Sequence, residues 1–120
     1  VTWILDVPLV PPSLNEWQRM CWRDRIPFTE EWDRAIWALC LEQHVPQLER
    51  IDLNIEIYFK DKRRRDYDNQ ATAFKLSLDA LVHAGILPDD NPRHLVRPMF
   101  PAILCDRKYP HTEITIVPRQ

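Results

Sequence analysis

The sequence predicts an α+β fold: a small mixed β-sheet of about four strands with two helices packed on it. Three observations carry this. Residues 51–59 alternate strictly between apolar and polar, the period of a strand with one buried face. Two stretches, beginning near Thr29 and near Asn69, repeat apolar residues at helical spacing. Short alternating runs stand near each end of the sequence. With 120 residues and 45% apolar content, the chain supports one domain around one core.

Taken in order, residues 2–7 set Trp3, Leu5 and Val7 against Thr2 and Asp6, a first strand that Pro8, Pro11 and Pro12 end. Ser13, Leu14, Asn15, Glu16 and Trp17 read as a turn, and residues 18–25 have no clean period. That segment interleaves Arg19, Arg23 and Arg25 with Trp17 and Trp22. Two readings stand: a nucleic-acid face, with guanidinium groups on phosphates and indoles on bases, or a surface loop whose tryptophans fold back onto the core. Thr29 reads as the N-cap of the first helix, with Glu30, Glu31 and Asp33 in its first turns. Trp32, Ile36, Leu39 and Cys40 make its apolar stripe, and Pro46 closes it.

Residues 51–59 follow as the cleanest strand, with Ile51, Leu53, Ile55, Ile57 and Phe59 on one face. A second helix is expected over about 69–83, with Ala71, Phe74, Leu78, Leu81 and Val82 inward and Gly85 as its C′ residue. Asp89, Asp90, Asn91 and Pro92 make a turn. Residues 95–105 are apolar but broken by Pro98 and Pro101, which predicts an edge strand or an irregular pair. Residues 112–117 end the fold as a strand with Ile114 and Ile116 inward.

Composition excludes several classes. No apolar run approaches the ~20 residues of a membrane helix, and no signal-peptide pattern opens the chain. Cys21, Cys40 and Cys105 are odd in number and far apart, as expected of reduced thiols in a cytoplasmic protein. His44, His83, His94 and His111 have no zinc spacing. A net charge of −2 gives no bulk attraction to nucleic acid, so any such case rests on where the charges lie. With Gly85 as the one glycine, there is no glycine-rich phosphate loop.

The chemistry concentrates in residues 62–69, where Lys62, Arg63, Arg64 and Arg65 run into Asp66, Tyr67, Asp68 and Asn69. Cations attract a phosphodiester backbone and carboxylates repel it; a divalent cation on the aspartates reconciles the two. If the chain is extended there, Asp66 and Asp68 share one side, whereas in a helix they diverge by about 200°. Hard oxygen ligands suit Mg²⁺ or Mn²⁺, which orients water and stabilises charge on phosphate. The competing reading makes Asp68 a helix N-cap beside a solvated charge run.

These residues, with Leu78, Asp79, Ala80 and Leu81, then Ala84 and Gly85, then Leu87, Pro88, Asp89 and Asp90, resemble the RusA family of Holliday-junction resolvases. Pro11, Pro12, Ser13, Leu14 and Asn15 resemble that family's Pro-Pro-Ser-x-Asn signature, so the resemblance spans nearly the whole chain. It implies a RusA-like homodimeric endonuclease of bacterial, phage or prophage context that uses Mg²⁺ to nick four-way DNA junctions in symmetric pairs. The family's catalytic aspartates map onto Asp66, Asp68 and Asp90 as metal ligands, and its functional lysine onto Lys75. Lys62, Arg63, Arg64, Arg65, Asn69, Asn15, Arg19, Arg23 and Arg25 are the expected DNA contacts. Other branched DNA, or binding without cleavage, are the alternatives.

One departure concerns the lysine. Counting back from Asp79 reaches Lys75, but counting forward from Asn69 reaches Thr72, a surplus of three residues. Either the surplus lies in a longer loop that keeps Lys75 near the aspartates, or Lys75 is a solvated flank residue and the arginines take its role. A second expectation follows from length. A helix over 69–83 is about 22 Å long, which separates Asp90 from Asp66 and Asp68 within one chain. A two-fold dimer with antiparallel helices would bring Asp90 of one copy to the other's pair.

Overall fold

The computed structural model describes residues 1–94 and 99–119. Its elements in chain order are β1 (Trp3–Val7), α1 (Leu14–Arg19), α2 (Trp22–Glu42), β2 (Arg50–Phe59), a 3₁₀ turn (Asp68–Gln70), α3 (Ala71–His83), β3 (Ala102–Cys105) and β4 (His111–Arg119). The strands form one sheet in the order β1-β4-β2-β3. β4 is antiparallel to both β1 and β2, while β3 is parallel to β2. That parallel pair needs a crossover, and α3 lies on the path between the two strands. The fold is the expected α+β type with a four-stranded mixed sheet, but with three α-helices where two were expected.

The sheet buries one face. Ile51, Leu53, Ile55, Ile57 and Phe59 of β2 join Leu5, Val7, Ile114 and Ile116 in a core shared with Trp32, Ile36 and Cys40 of α2 and Leu76, Leu78 and Leu81 of α3. The other face is open and acidic. Asp6 stands opposite Glu113, and Glu113 opposite Glu56, so three adjacent strands place carboxylates side by side. His111 lies two residues before Glu113 on β4, beside this row, stacked between Tyr58 (centroids 4.4 Å apart) and Tyr109 (4.7 Å). Its Nε2 faces Glu113 at 3.2 Å and Asp6 at 3.9 Å.

The helices differ from expectation in three places. The supposed turn at 13–17 is the start of α1, where Ser13 Oγ accepts from the Glu16 N–H and Glu16 accepts from the Ser13 N–H. This reciprocal capping box satisfies two otherwise orphan donors. The long helix begins at Trp22, not after Thr29, and carries Pro27 inside it. Pro27 removes one helical hydrogen bond, a cost of about 3 kcal/mol in an unsupported helix. Tertiary ties hold this turn: the Arg25 guanidinium donates to the Trp17 carbonyl at 2.6 and 3.0 Å, and the Trp17 ring packs edge-on against Phe28.

α3 is buried around more of its circumference than the expected stripe. Thr72, Ala73, Leu76, Ser77 and Ala80 are buried with Leu78 and Leu81, whereas Ala71, Phe74 and Val82 are only partly so. The sheet covers one side and α2 crosses another, so a single stripe underestimates its contact. Gly85, at φ +77°, makes the C′ position as expected. The Ile86 N–H reaches the Leu81 carbonyl and the Gly85 N–H the Val82 carbonyl, the paired bonds of a Schellman ending. Of the apolar stretch 95–105, residues 95–98 lie outside the described residues, and 102–105 form the edge strand β3.

Candidate nucleic-acid interface

Residues 60–70 leave the C-terminal end of β2. Across from them stands α1. The Asn15 N–H donates to Asn69 Oδ1 at 3.0 Å, joining two segments that lie 54 positions apart. Between them opens a cleft of about 840 Å³. Pro11, Met20, Phe28 and Phe59 contribute apolar surface, while Arg19, Lys60, Arg63 and Arg64 bring positive charge to it. The Pro-Pro-Ser-Leu-Asn segment and the basic-acidic segment thus form opposite walls of one feature.

Inside the loop, Arg65 has a structural position. Its side chain is 10% exposed, and its guanidinium carbon lies 3.8 Å from the centre of the Phe59 ring. Nη1 donates to the Asp61 and Arg63 carbonyls at 3.2 and 3.1 Å, and Nη2 to Asp61 Oδ1 at 2.8 Å. The hydrogen bond from Arg65 holds the Asp61 carboxyl below its usual range. Arg63 and Arg64 project outward, at 76% and 93% exposure, and Lys62 is exposed. The four cations that look equivalent in sequence divide into a buried clamp and three solvent-facing charges.

The cationic segment before α2 divides too. Arg19 lines the cleft. Arg25 is spent on the Trp17 carbonyl and lies over the Trp17 ring, which packs edge-on against Phe28. Trp17 therefore folds back toward the core, one of the two readings of this segment. Arg23 sits over its neighbour Trp22, which is 66% exposed. Neither of these two lines the cleft.

The acidic residues are less gathered than the extended reading requires. Tyr67 is helical (φ −61°, ψ −44°) and Asp68 opens the 3₁₀ turn, so the chain is already winding between Asp66 and Asp68. Extension fails here because the turn closes early, with the Gln70 N–H on the Tyr67 carbonyl at 3.0 Å. Asp66 lines the cleft and meets Arg64 at 3.9 Å, a solvated pair worth little in stability. Asp68 is exposed at the start of the turn.

Asp90 is not stranded beyond the far end of α3. The Schellman ending reverses the chain, and Asp90 Oδ2 comes back to Lys75 Nζ at 2.6 Å, in the second turn of the helix. The length-based case for a second copy loses its premise, because helix length alone does not keep Asp90 at the far end. Lys75 also meets Asp79 at 3.0 Å. The hydrogen bond to Asp90 leads the upward shift of the Lys75 pKa, with Asp79 adding to it, and Lys75 in turn holds the Asp90 carboxyl low. The surplus residues do not make an open loop; Asp68–Gln70 winds directly into the helix.

For the divalent cation that the resemblance implies, the donor chemistry fits and the arrangement does not. Asp66, Asp68 and Asp90 offer hard oxygens, yet among the described residues no three His, Cys, Asp or Glu side chains group closely enough to hold a metal ion. Sequence reasoning missed Asp61 and Glu16 as the groups that shape the two walls. Their signals were present: Ser13 and Glu16 at capping-box spacing, and Asp61 four positions before Arg65. Compared with models of known protein families and with curated proteins, the chain matches none.

Proposed function

We propose that this chain is an endodeoxyribonuclease acting on branched DNA, four-way junctions in the first place, with the cleft as its DNA-binding site. The observation that carries the reading is the Asn15–Asn69 hydrogen bond. It unites the two segments that resemble the resolvase family in a single cleft with Arg19, Lys60, Arg63 and Arg64 on its walls and Asp66 among its lining residues. Exposed arginines supply phosphate contacts that are independent of sequence, which suits a protein that reads DNA shape. Cleavage in this reading depends on Mg²⁺ or Mn²⁺, and the acidic groups of one chain must rearrange before they make a site. Either Asp90 exchanges its Lys75 partner when DNA binds, or the homodimer that the resemblance implies completes the set.

A second reading, a structure-selective DNA-binding protein without cleavage, is favoured by one observation: Lys75 holds Asp90 at 2.6 Å, away from the role a metal ligand needs. A synthetic four-way junction separates the two. The nuclease reading expects Mg²⁺-dependent nicking by the wild type, and an Asp68→Asn variant that binds the junction at least as well yet cuts at least 100-fold more slowly. Binding without nicking by the wild type, across Mg²⁺ and Mn²⁺, supports the second reading and rejects the first.

A further inference from the structure

The cleft is built for more than the outside of a double helix. Its volume of about 840 Å³ falls within the ~300–1,000 Å³ of pockets that enclose small ligands, whereas a duplex is a rigid cylinder that touches only the rim. Exposed phosphate contacts need no apolar floor, yet Phe28, Phe59, Pro11 and Met20 provide one. In the same wall stand two side-chain amides. Gln70 is 3% exposed, and its Nε2 has a long contact, 3.5 Å, to the Asp66 carbonyl. Asn69 has its Oδ1 taken by the Asn15 N–H, which fixes the amide and leaves Nδ2 as the donor end.

A flat heterocycle with hydrogen-bonding edges, joined at each side to a phosphate, matches this combination. The apolar floor accepts a base, amides meet base edges, and cations at the rim take the flanking phosphates. We infer that the cleft is a binding site for unpaired DNA, about two nucleotides of single strand such as a branch point exposes. Gln70 and Asn69 meet the base edges, and Arg19, Arg63 and Arg64 hold the adjoining phosphates. The inference rests on the DNA-binding reading and names the part of the DNA that enters. Base pairs stacked inside a duplex cannot reach this recessed floor, whereas an unpaired base can, so the floor and the amides beside it are what point to a single strand.

The test uses the full chain without divalent cation, so that cleavage does not interfere. A dye-labelled ten-nucleotide oligothymidine, the blunt duplex of the same length and a four-way junction are titrated by fluorescence anisotropy. The single strand is expected to bind at least about tenfold more tightly than the duplex, the scale of one stacked base. Gln70→Met, which keeps the apolar volume and removes the amide, is expected to lower single-strand affinity by about tenfold and duplex affinity little. If that variant does not fold, the side-chain NH₂ signals of Asn69 and Gln70 in the wild type decide. Thymidine dinucleotide shifts both signals if the inference holds. Equal affinity for single strand and duplex, unmoved amide signals, or amide shifts caused only by an acidic peptide overturns it. Junction binding that survives such a result leaves the proposed function standing; failure to bind any of the three DNAs removes that function itself.

Discussion

Arg65 shows how far one side chain can depart from the reading its neighbours invite. In a run of four cations it looks like a phosphate ligand, yet its guanidinium is folded under the loop onto Phe59 and Asp61. Arg65→Ala removes three hydrogen bonds and a cation–aromatic contact, and is expected to cost about 1–3 kcal/mol in urea denaturation. Arg64→Ala, at 93% exposure, is expected to change stability by less than about 0.5 kcal/mol. Alternation alone turns Phe59 inward, but which of the four cations folds back onto it depends on the path of the loop after β2. His111 is a second residue whose role comes from its surroundings. Burial works against its imidazolium, but the Tyr109 carbonyl, Glu113 and Asp6 outweigh it, and the pKa is raised. A raised pKa contributes stability that is fully present below the unfolded value near 6.5 and is lost as pH rises through the folded value. The stability gap between wild type and His111→Gln is therefore expected to be largest near pH ~5.5 and smallest near pH ~8.5, read by urea unfolding at the two.

At the scale of elements, the strands and the start of α3 match the pattern in the sequence, and the starts of α1 and α2 do not. The alternation of residues 51–59 and the inward Ile114 and Ile116 appear as expected, since a half-buried sheet writes its pattern directly into side-chain polarity. The start of α2 is set by contacts from α1, which apolar periodicity does not report: Arg25 on the Trp17 carbonyl, and Trp17 against Phe28. Ser13 and Glu16 mark the start of α1 at capping-box spacing, yet a helix of only six residues is too short to show an apolar period. Ser13→Ala is expected to cost about 1 kcal/mol. Because α1 carries Asn15 to Asn69, the same variant is expected to weaken junction binding, measured by anisotropy, although Ser13 carries no charge. The acidic site was legible as a set of residues but not as an arrangement. Its separation follows from two backbone events, the early turn at Tyr67 and the reversal after Gly85.

For the molecule as a whole, the decisive quantity is the placement of charge, since the sum is −2. The proposed binding of DNA at the cleft is expected to weaken as salt rises, with a log–log slope near −0.9 per phosphate engaged. Arg63→Ala and Arg64→Ala should each reduce that slope by about one, whereas Arg23→Ala, away from the cleft, should leave it unchanged; titrations at several salt concentrations check this. The row of Asp6, Glu113 and Glu56 gives the same point its other half. None of the three lines the cleft, and side by side they form a surface that a polyanion avoids. In the DNA-binding reading, the open sheet face works as a rudder: it turns the protein during approach, before any contact forms, so that fewer encounters with DNA are wasted on the wrong side.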